Sequence, residues 1–303
     1  MSTRIVGTVE ARPGPNASQA RMAAVLERSK ELHDIVNSSA VAAAVGSIDA
    51  LPTVPRIYLE LRDLTARPDT GAAEIANAVA SDPALSLKLL QLVNSVGFGM
   101  RRRVASVQQA VALLGMEQIK ALVLSSQVFS NAAKCRVQCF SLEQFQDCSM
   151  RVGRLAQAFM AKRGIGAEAF TAGLLIDVGK LVLAMAQPDA FTEVLLRTAE
   201  SNEDAETVER EIIGVTHSEA GAYLLWQWGL PISTVECVAF HHRADLMKQG
   251  PYDLVAAVHA ADAIYDILAC GEPPSRLNLT LLERAGVLGE LGSWREQVAE
   301  SLE

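Results

Sequence analysis

The sequence predicts an all-α protein. Apolar residues recur at three- and four-residue spacing along most of the chain, polar N-caps and capping boxes punctuate these runs, and no convincing stretch alternates polar with apolar residues as strands do. Composition agrees. Half of the 303 residues are hydrophobic, only 5% are aromatic, and Ala and Leu dominate, which favours helices and supplies apolar surface for a core.

The elements follow in order. Met1 to Ala17 is small, polar and rich in Pro and Gly, and is expected to be disordered. Ser18 to about Ala44 reads as one helix, with Met22, Val25, Leu26, Leu32, Ile35 and Val36 at near-helical spacing and Arg21, Glu27, Arg28 and Lys30 between them. That helix either docks on the main core, the preferred reading, or offers its stripe to a partner. Leu51-Pro52-Thr53-Val54-Pro55 marks entry to the main domain. Ser81-Asp82-Pro83 supplies a polar N-cap with Pro at the first helical position, and Leu85, Leu89, Leu92 and Val96 then line one face. Ser106 to Gln109 is a capping box, Gly115 closes its helix, and another runs from about Met116 to Phe129. Phe140 to Lys162 and Ala167 to Ala186 are each expected as one helix. Thr216 to Glu219 and Ser233 to Glu236 read as two further capping boxes, with Gly229 and Pro231 stopping the helix between them.

The net charge of −8 makes the chain a poor general binder of nucleic acid or anionic membrane. Residues 1–15 lack the apolar core of a signal peptide, and no apolar run is expected to approach the roughly 20 residues of a membrane span. Cys135, Cys139, Cys148, Cys237 and Cys270 are odd in number and read as buried thiols of a reducing compartment, so a cytoplasmic location is expected.

A series of short motifs runs through the chain: Leu51-Pro52-x-x-Pro55, Asp82-Pro83-x-Leu85, Leu89-Leu90 with Asn94-Ser95, and Val107 with Ala110 and Leu114-Gly115. Later come Gly173-Leu174-Leu175-x-Asp177-x-Gly179-Lys180, Glu209-Arg210-Glu211, His217 with Gly221, Trp228 to Pro231, His241-His242 and Ala261-Asp262. Read together, these motifs resemble the HDOD family, the HD-related output domain of bacterial signalling proteins. The resemblance covers about Ala44 to Asp266. It implies an all-helical fold related to HD phosphohydrolases, a regulatory role in signal transduction, and an incomplete catalytic metal site.

Asp177, His217, His241, His242 and Asp262 have the types and order of a histidine/aspartate metal site, which in hydrolases converges on one or two ions with a place left for activated water. Two members are missing. Ile176 stands where a His would precede Asp177, and Gln146-Asp147-Cys148-Ser149 occupies the segment of the early His that HD enzymes carry. Each remaining residue also has a bland role. Asp177 can pair with Lys180 or a backbone N–H, and His217 can hydrogen-bond a neighbour. On a helix His241 and His242 would point about 100° apart, one inward and one to solvent. Asp262 follows His259 by three residues and can bond to it. The related HD-GYP phosphodiesterases carry Gly-Tyr-Pro after their paired histidines, whereas Gly250-Pro251-Tyr252 has the order changed. Arg101-Arg102-Arg103 is the basic run, read as a solvated loop or as an interaction site for phosphate or an acidic partner. Trp226 and Trp228 read as core and rim positions in place of ligand stackers, and Glu200 to Glu206 as an exposed connection or helix start.

The expected organisation is a tail with N-terminal helix over 1–44, an HDOD domain over 45–268 with halves 45–135 and 136–268, and a helical extension over 269–303. The expected function is a non-enzymatic signalling module acting through protein contacts, with no catalytic residue, metal or cofactor. A phosphohydrolase with a rebuilt site and a nucleotide sensor without turnover are the rivals. Partners are expected to be signalling proteins, with a small-molecule ligand and homo-oligomers left open and direct nucleic-acid and membrane binding excluded.

Overall fold

Local capping sets several helix starts. Asp82 accepts from the backbone N–H groups of Ala84 and Leu85 at 2.9 and 3.0 Å, with Pro83 at the first helical position. Ser106 accepts from the Gln109 N–H, while Gln109 Oε1 turns back to the Ala105 N–H. Thr216 and Glu219 form a complete capping box. This is a computed structural model, and it describes residues 27–46, 54–100, 102–133, 137–201, 203–243, 253–270 and 277–302. No strand occurs among the described residues.

The helices are α1 (27–36), α2 (Ser39–Val45), α3 (Arg56–Thr65), α4 (Ala72–Ala80), α5 (Pro83–Val93), α6 (Val107–Leu114), α7 (Met116–Ala132) and α8 (Leu142–Met160). They continue with α9 (Gly166–Leu175), α10 (Val178–Ala186), α11 (Pro188–Ser201), α12 (Ala205–Ile212), α13 (His217–Gln227) and α14 (Ile232–Phe240). Then come α15 (Asp253–Tyr265), prolonged by a π-helical turn over Asp266–Cys270, α16 (Leu279–Arg284) and α17 (Leu291–Leu302).

Helix α7 packs on α3, α5 and α6 and also on α9 and α10, so the two expected halves share one core. Two glycine pairs bring the central helices together. A Cβ on Gly173 of α9 would lie 2.9 Å from Gly153 Cα of α8. A Cβ on Gly179 of α10 would overlap the His217 carbonyl oxygen of α13 and stand 2.7 Å from the Gly221 nitrogen. Only glycine permits the second approach, and that approach sets the start of α10 against the start of α13. The segment expected as an extension packs on the same body. Trp294 of α17 stacks on Phe159 of α8 at 4.4 Å and 6°, and Arg163 pairs with Glu290 at 3.0 Å.

Five expectations need correction. The helix expected over Ser18 to Ala44 breaks after Val36, where Asn37 Nδ2 bonds the His33 carbonyl and Ser38 caps α2. On α1, Arg28 is buried. It is 8% exposed, and its Nε donates to Glu236 Oε1 at 2.9 Å. Leu32 and Val36 are buried in the core and Ile35 packs against it, so the described part of this helix docks intramolecularly. Met22 and Leu26 lie outside the described residues.

Glu236 thus serves Arg28, and α14 starts at Ile232 with no side-chain cap in place of the expected box from Ser233. The helix expected over Ala167 to Ala186 is two helices, turned at Ile176-Asp177. The span Gly166–Ala186 is also long and apolar enough to cross a membrane, against the expectation that no run would be; most of it is buried inside the bundle. Finally, Leu85, Leu89 and Leu92 are buried as expected, but Val96 lies beyond the end of α5 and is 74% exposed. Of the two tryptophans, Trp228 is the buried one and Trp226 the exposed one, an assignment their sequence positions did not make.

Candidate functional site

The turn between α9 and α10 carries Asp177. Its Oδ2 accepts from Lys180 Nζ at 2.8 Å, the pairing anticipated from their spacing. Its Oδ1 faces inward, 3.3 Å from His217 Nε2 and 3.7 Å from His241 Nε2. Burial works to raise the carboxyl pKa, but the Lys180 charge and the two imidazoles outweigh it and hold it well below the usual carboxylate range.

His217 is the first residue of α13. Thr216 Oγ1 accepts from the Glu219 N–H, Glu219 Oε2 accepts from the Thr216 N–H at 3.0 Å, and Arg210 clamps the Glu219 carboxylate at 2.7 and 2.8 Å. This lock fixes the entry of α13. Behind His217 stands Glu209 of α12. The His217 backbone N–H donates to Glu209 Oε2 at 2.7 Å, and ring Nδ1 lies 2.8 Å from the same oxygen. A carboxylate at that position takes a ring N–H, so Nδ1 carries the proton and Nε2 points at Asp177. Burial opposes charge on this ring, but the Glu209 carboxylate, with Asp177 beside it, raises its pKa to about 10. The ring therefore holds a second proton at neutral pH unless another cation takes its place.

His241 caps the C-terminal end of α14. Its Nδ1 donates to the Val238 carbonyl at 2.9 Å, which leaves Nε2 as the atom facing Asp177. The His241 carbonyl in turn accepts from His259 Nδ1 at 2.9 Å, and His259 Nε2 accepts from the Asn278 N–H at 3.0 Å. Both ring nitrogens of His259 thus have backbone partners, a role in the His241 turn that its spacing to Asp262 did not indicate. His242 follows in the turn, its ring 3.9 Å from that of His241 and 5.1 Å from that of His217. Burial, reinforced by the neighbouring imidazoles, pushes its pKa well below 6.5, so it is a neutral ring with a lone pair.

One ligand atom from each of Asp177, His217, His241 and His242 falls within 4.8 Å of all the others. The expectation that His241 and His242 must diverge is corrected: α14 stops at Phe240, so the two rings are not helical neighbours and both join the cluster. The fifth candidate, Asp262, is buried on α15 but stands outside this group. It lines a cavity of about 40 Å³ together with Asp177, Ile176, Cys148 and Tyr265.

The positions that resemblance marked as lost ligands meet in that cavity. Ile176 is buried, and burial raises the Cys148 thiol pKa despite a contact of 3.8 Å with the Tyr265 hydroxyl. Asp147 instead accepts from the Gly97 N–H at 3.2 Å. Cys237 is buried as expected and Cys139 is exposed, against the expectation for every thiol. Arg102 and Arg103 are exposed, while Arg101 and the Gly250-Pro251-Tyr252 segment lie outside the described residues. Glu209 is the site residue that sequence reasoning missed. Its signal was an acidic residue eight positions before His217, inside the Glu209-Arg210-Glu211 motif, to which no role had been given.

The nitrogens His217 Nε2 and His241 Nε2 are buried and make no hydrogen bond among the described residues. The 3.3 Å approach of His217 to Asp177 is close enough for an ion pair but is not aimed as a hydrogen bond. Buried polar atoms without partners are uncommon and call for an explanation, and two imidazole nitrogens converging on one carboxylate oxygen suit a cation.

Comparison with known proteins gives the setting. Residues 51–244 match the family model described as HDOD domain. An uncharacterized protein of Treponema pallidum (strain Nichols) is 26% identical over 262 residues, which cover 85% of this chain and 50% of that protein. The chain therefore spans half the length of that curated relative. Among solved structures, a candidate phosphohydrolase from Shewanella amazonensis SB2B matches with a TM-score of 0.66 at 25% identity, covering 88% of this chain and 95% of that one. An HDOD domain protein with unknown function from Geobacter sulfurreducens matches with a TM-score of 0.65 at 22% identity, covering 94% and 99%. A candidate signal transduction protein from Marinobacter aquaeolei VT8 gives 0.64 at 21% identity, covering 83% and 57%.

Proposed function

The chain belongs to the HDOD domain family, and within it we propose a regulatory signalling module that acts through protein contacts and holds one divalent cation without hydrolysing phosphoesters. The observation that carries the cation is the pair of buried, unbonded nitrogens, His217 Nε2 and His241 Nε2, facing Asp177 Oδ1. His242 adds a neutral imidazole. Three imidazoles and a carboxylate suit Zn²⁺, Fe²⁺, Mn²⁺ or Ni²⁺ better than Ca²⁺ or Mg²⁺. The Glu209 carboxylate and the Val238 carbonyl orient the two rings from behind, as partners of metal-bound histidines do. The missing ligands had led to an expectation of no metal; the four that remain converge, and this revises it. When bound, the ion would supply Lewis acidity at the cluster.

The space beside the cluster disfavours turnover. The positions that would complete a larger ligand set are held by Ile176 and by Cys148, a thiol kept neutral by burial, and the cavity beside them has room for only a few waters. Lys180 occupies the outer oxygen of Asp177.

A metal-dependent phosphohydrolase is the second reading. It is favoured by the name of the Shewanella relative and by a cleft of about 630 Å³ that reaches His242 and Arg243. Elemental analysis of the purified chain, with an assay of cyclic dinucleotides, nucleoside phosphates and generic phosphoesters, decides between them. About one ion per chain, lost on His217→Ala, with no turnover above background, is the expected result. Turnover abolished by His217→Ala would establish the enzyme reading, and a metal-free protein after aerobic and anaerobic purification would overturn the cation.

A further inference from the structure

Arg154 of α8 has no carboxylate partner among the described residues. Its guanidinium lies over the face of Phe98, with the guanidinium carbon 5.2 Å from the ring centroid. Burial lowers its pKa below the ordinary guanidinium range, although the group stays charged at neutral pH. A half-buried cation without a counter-ion is a costly arrangement, and an anion from solution would relieve it.

The surroundings are built to hold this side chain. Phe98 is buried and meets Phe170 edge-on at 6.2 Å and 68°. The Gly97 N–H donates to Asp147 Oδ1, and a Cβ on Gly97 would run into the Asp147 backbone. Gly99 has φ +63°, and a Cβ there would come 3.2 Å from Arg154 Nη1. Gly97, Phe98 and Gly99 are therefore pinned on the face of α8 that carries Asp147, Arg151 and Arg154 at i, i+4 and i+7.

Between this loop, α8 and α17 lies a cavity of about 350 Å³, lined by Gly97, Gly99, Arg151, Arg154, Gln297 and Glu300 among others. It shares no lining residue with the cavity beside Asp177. Arg102 and Arg103 are exposed and follow Gly99 by three and four residues, which places them within about 15 Å of it along the chain. They add positive potential on a chain whose net charge is −8.

We propose that this cavity binds the phosphate group of a small molecule, with the Arg154 guanidinium as its recognition group and Arg151 beside it. The guanidinium fork matches two oxygens of a tetrahedral oxyanion, and the volume is at the lower end of small-molecule sites. Glu300 works against the ligand and tempers its affinity.

The test titrates the full chain with pyrophosphate and with inorganic phosphate by calorimetry, with citrate as the carboxylate comparison. Saturable binding of a phosphate probe, stronger than that of citrate, is expected. Arg154→Gln should weaken it roughly tenfold or more, Arg154→Lys less, and Glu300→Gln should tighten it roughly two- to fivefold. Circular dichroism checks that each variant is folded. If Arg154→Gln does not fold, the exposed Glu300→Gln variant decides alone, and an unchanged affinity counts against the site. The proposal is overturned if no phosphate probe saturates at millimolar concentration, if citrate binds better, or if folded Arg154→Gln binds as the parent does.

Discussion

Glu209 and His217 form a buried carboxylate–imidazole pair, with the ring Nδ1 and the backbone N–H of His217 2.8 and 2.7 Å from one Glu209 oxygen. Two hydrogen bonds to one residue leave the ring little freedom, so its other nitrogen is aimed at Asp177. Residues from the starts of α10 and α13 and the end of α14 meet at this point, and a carboxylate on α12 orients the one from α13.

Changing Glu209 to Gln keeps the shape of this support and removes its charge. Metal affinity should fall by roughly 10–100-fold, the usual cost of altering a group that orients a ligating histidine. Competition with a calibrated chelator measures it. An unchanged affinity would mean that His217 does not hold the ion through Nε2.

The metal-free protein should show a pH dependence set by the same pair. The folded pKa of His217 is raised to about 10, above an unfolded value of about 6.5. The stability it contributes is fully present below about pH 6.5 and is lost as pH rises toward 10. Urea midpoints of chelator-treated protein should decline across that window, and Glu209→Gln should flatten the decline. A profile equally steep in the variant would place its origin in another group.

Gly179→Ala should be among the most damaging single substitutions in the chain. The added methyl would overlap the His217 carbonyl, and backbone atoms cannot turn aside as a side chain does. A loss of about 3 kcal/mol or more is expected, or failure to fold. Gly71→Ala, where a Cβ meets nothing within 4 Å, is the control. Similar thermal midpoints for the two variants would show that α10 and α13 do not pack as described.

Trp294→Ala should cost about 3–5 kcal/mol, because the indole is buried and stacked on Phe159. The family match ends at residue 244, so this checks whether the chain beyond it belongs to the same folding unit. A denaturation midpoint within error of the parent would make the C-terminal helices a separate attachment.

What the sequence alone determined is local. Helical periodicity, the Asp82 and Ser106 caps and the Thr216 capping box are properties of neighbours along the chain, and each stands where its motif placed it. Four of the five residues named from their order and type, Asp177, His217, His241 and His242, lie together in the fold. What only the tertiary structure decided depends on partners distant in sequence. The apolar run through Ile176 has no Gly or Pro at its break, and Gly179, two residues on, does not tell that Asp177 points inward. Glu236 looked like a cap until Arg28, 208 positions away, claimed its carboxylate. His241 and His242 were judged as helical neighbours, and Asp262 as a fellow ligand, because a periodic pattern carries no information about where a helix ends or which cavity a side chain enters. Glu209 fell silent for the same reason: the worth of a buried carboxylate is set by the imidazole it faces, and only folding brings the two together.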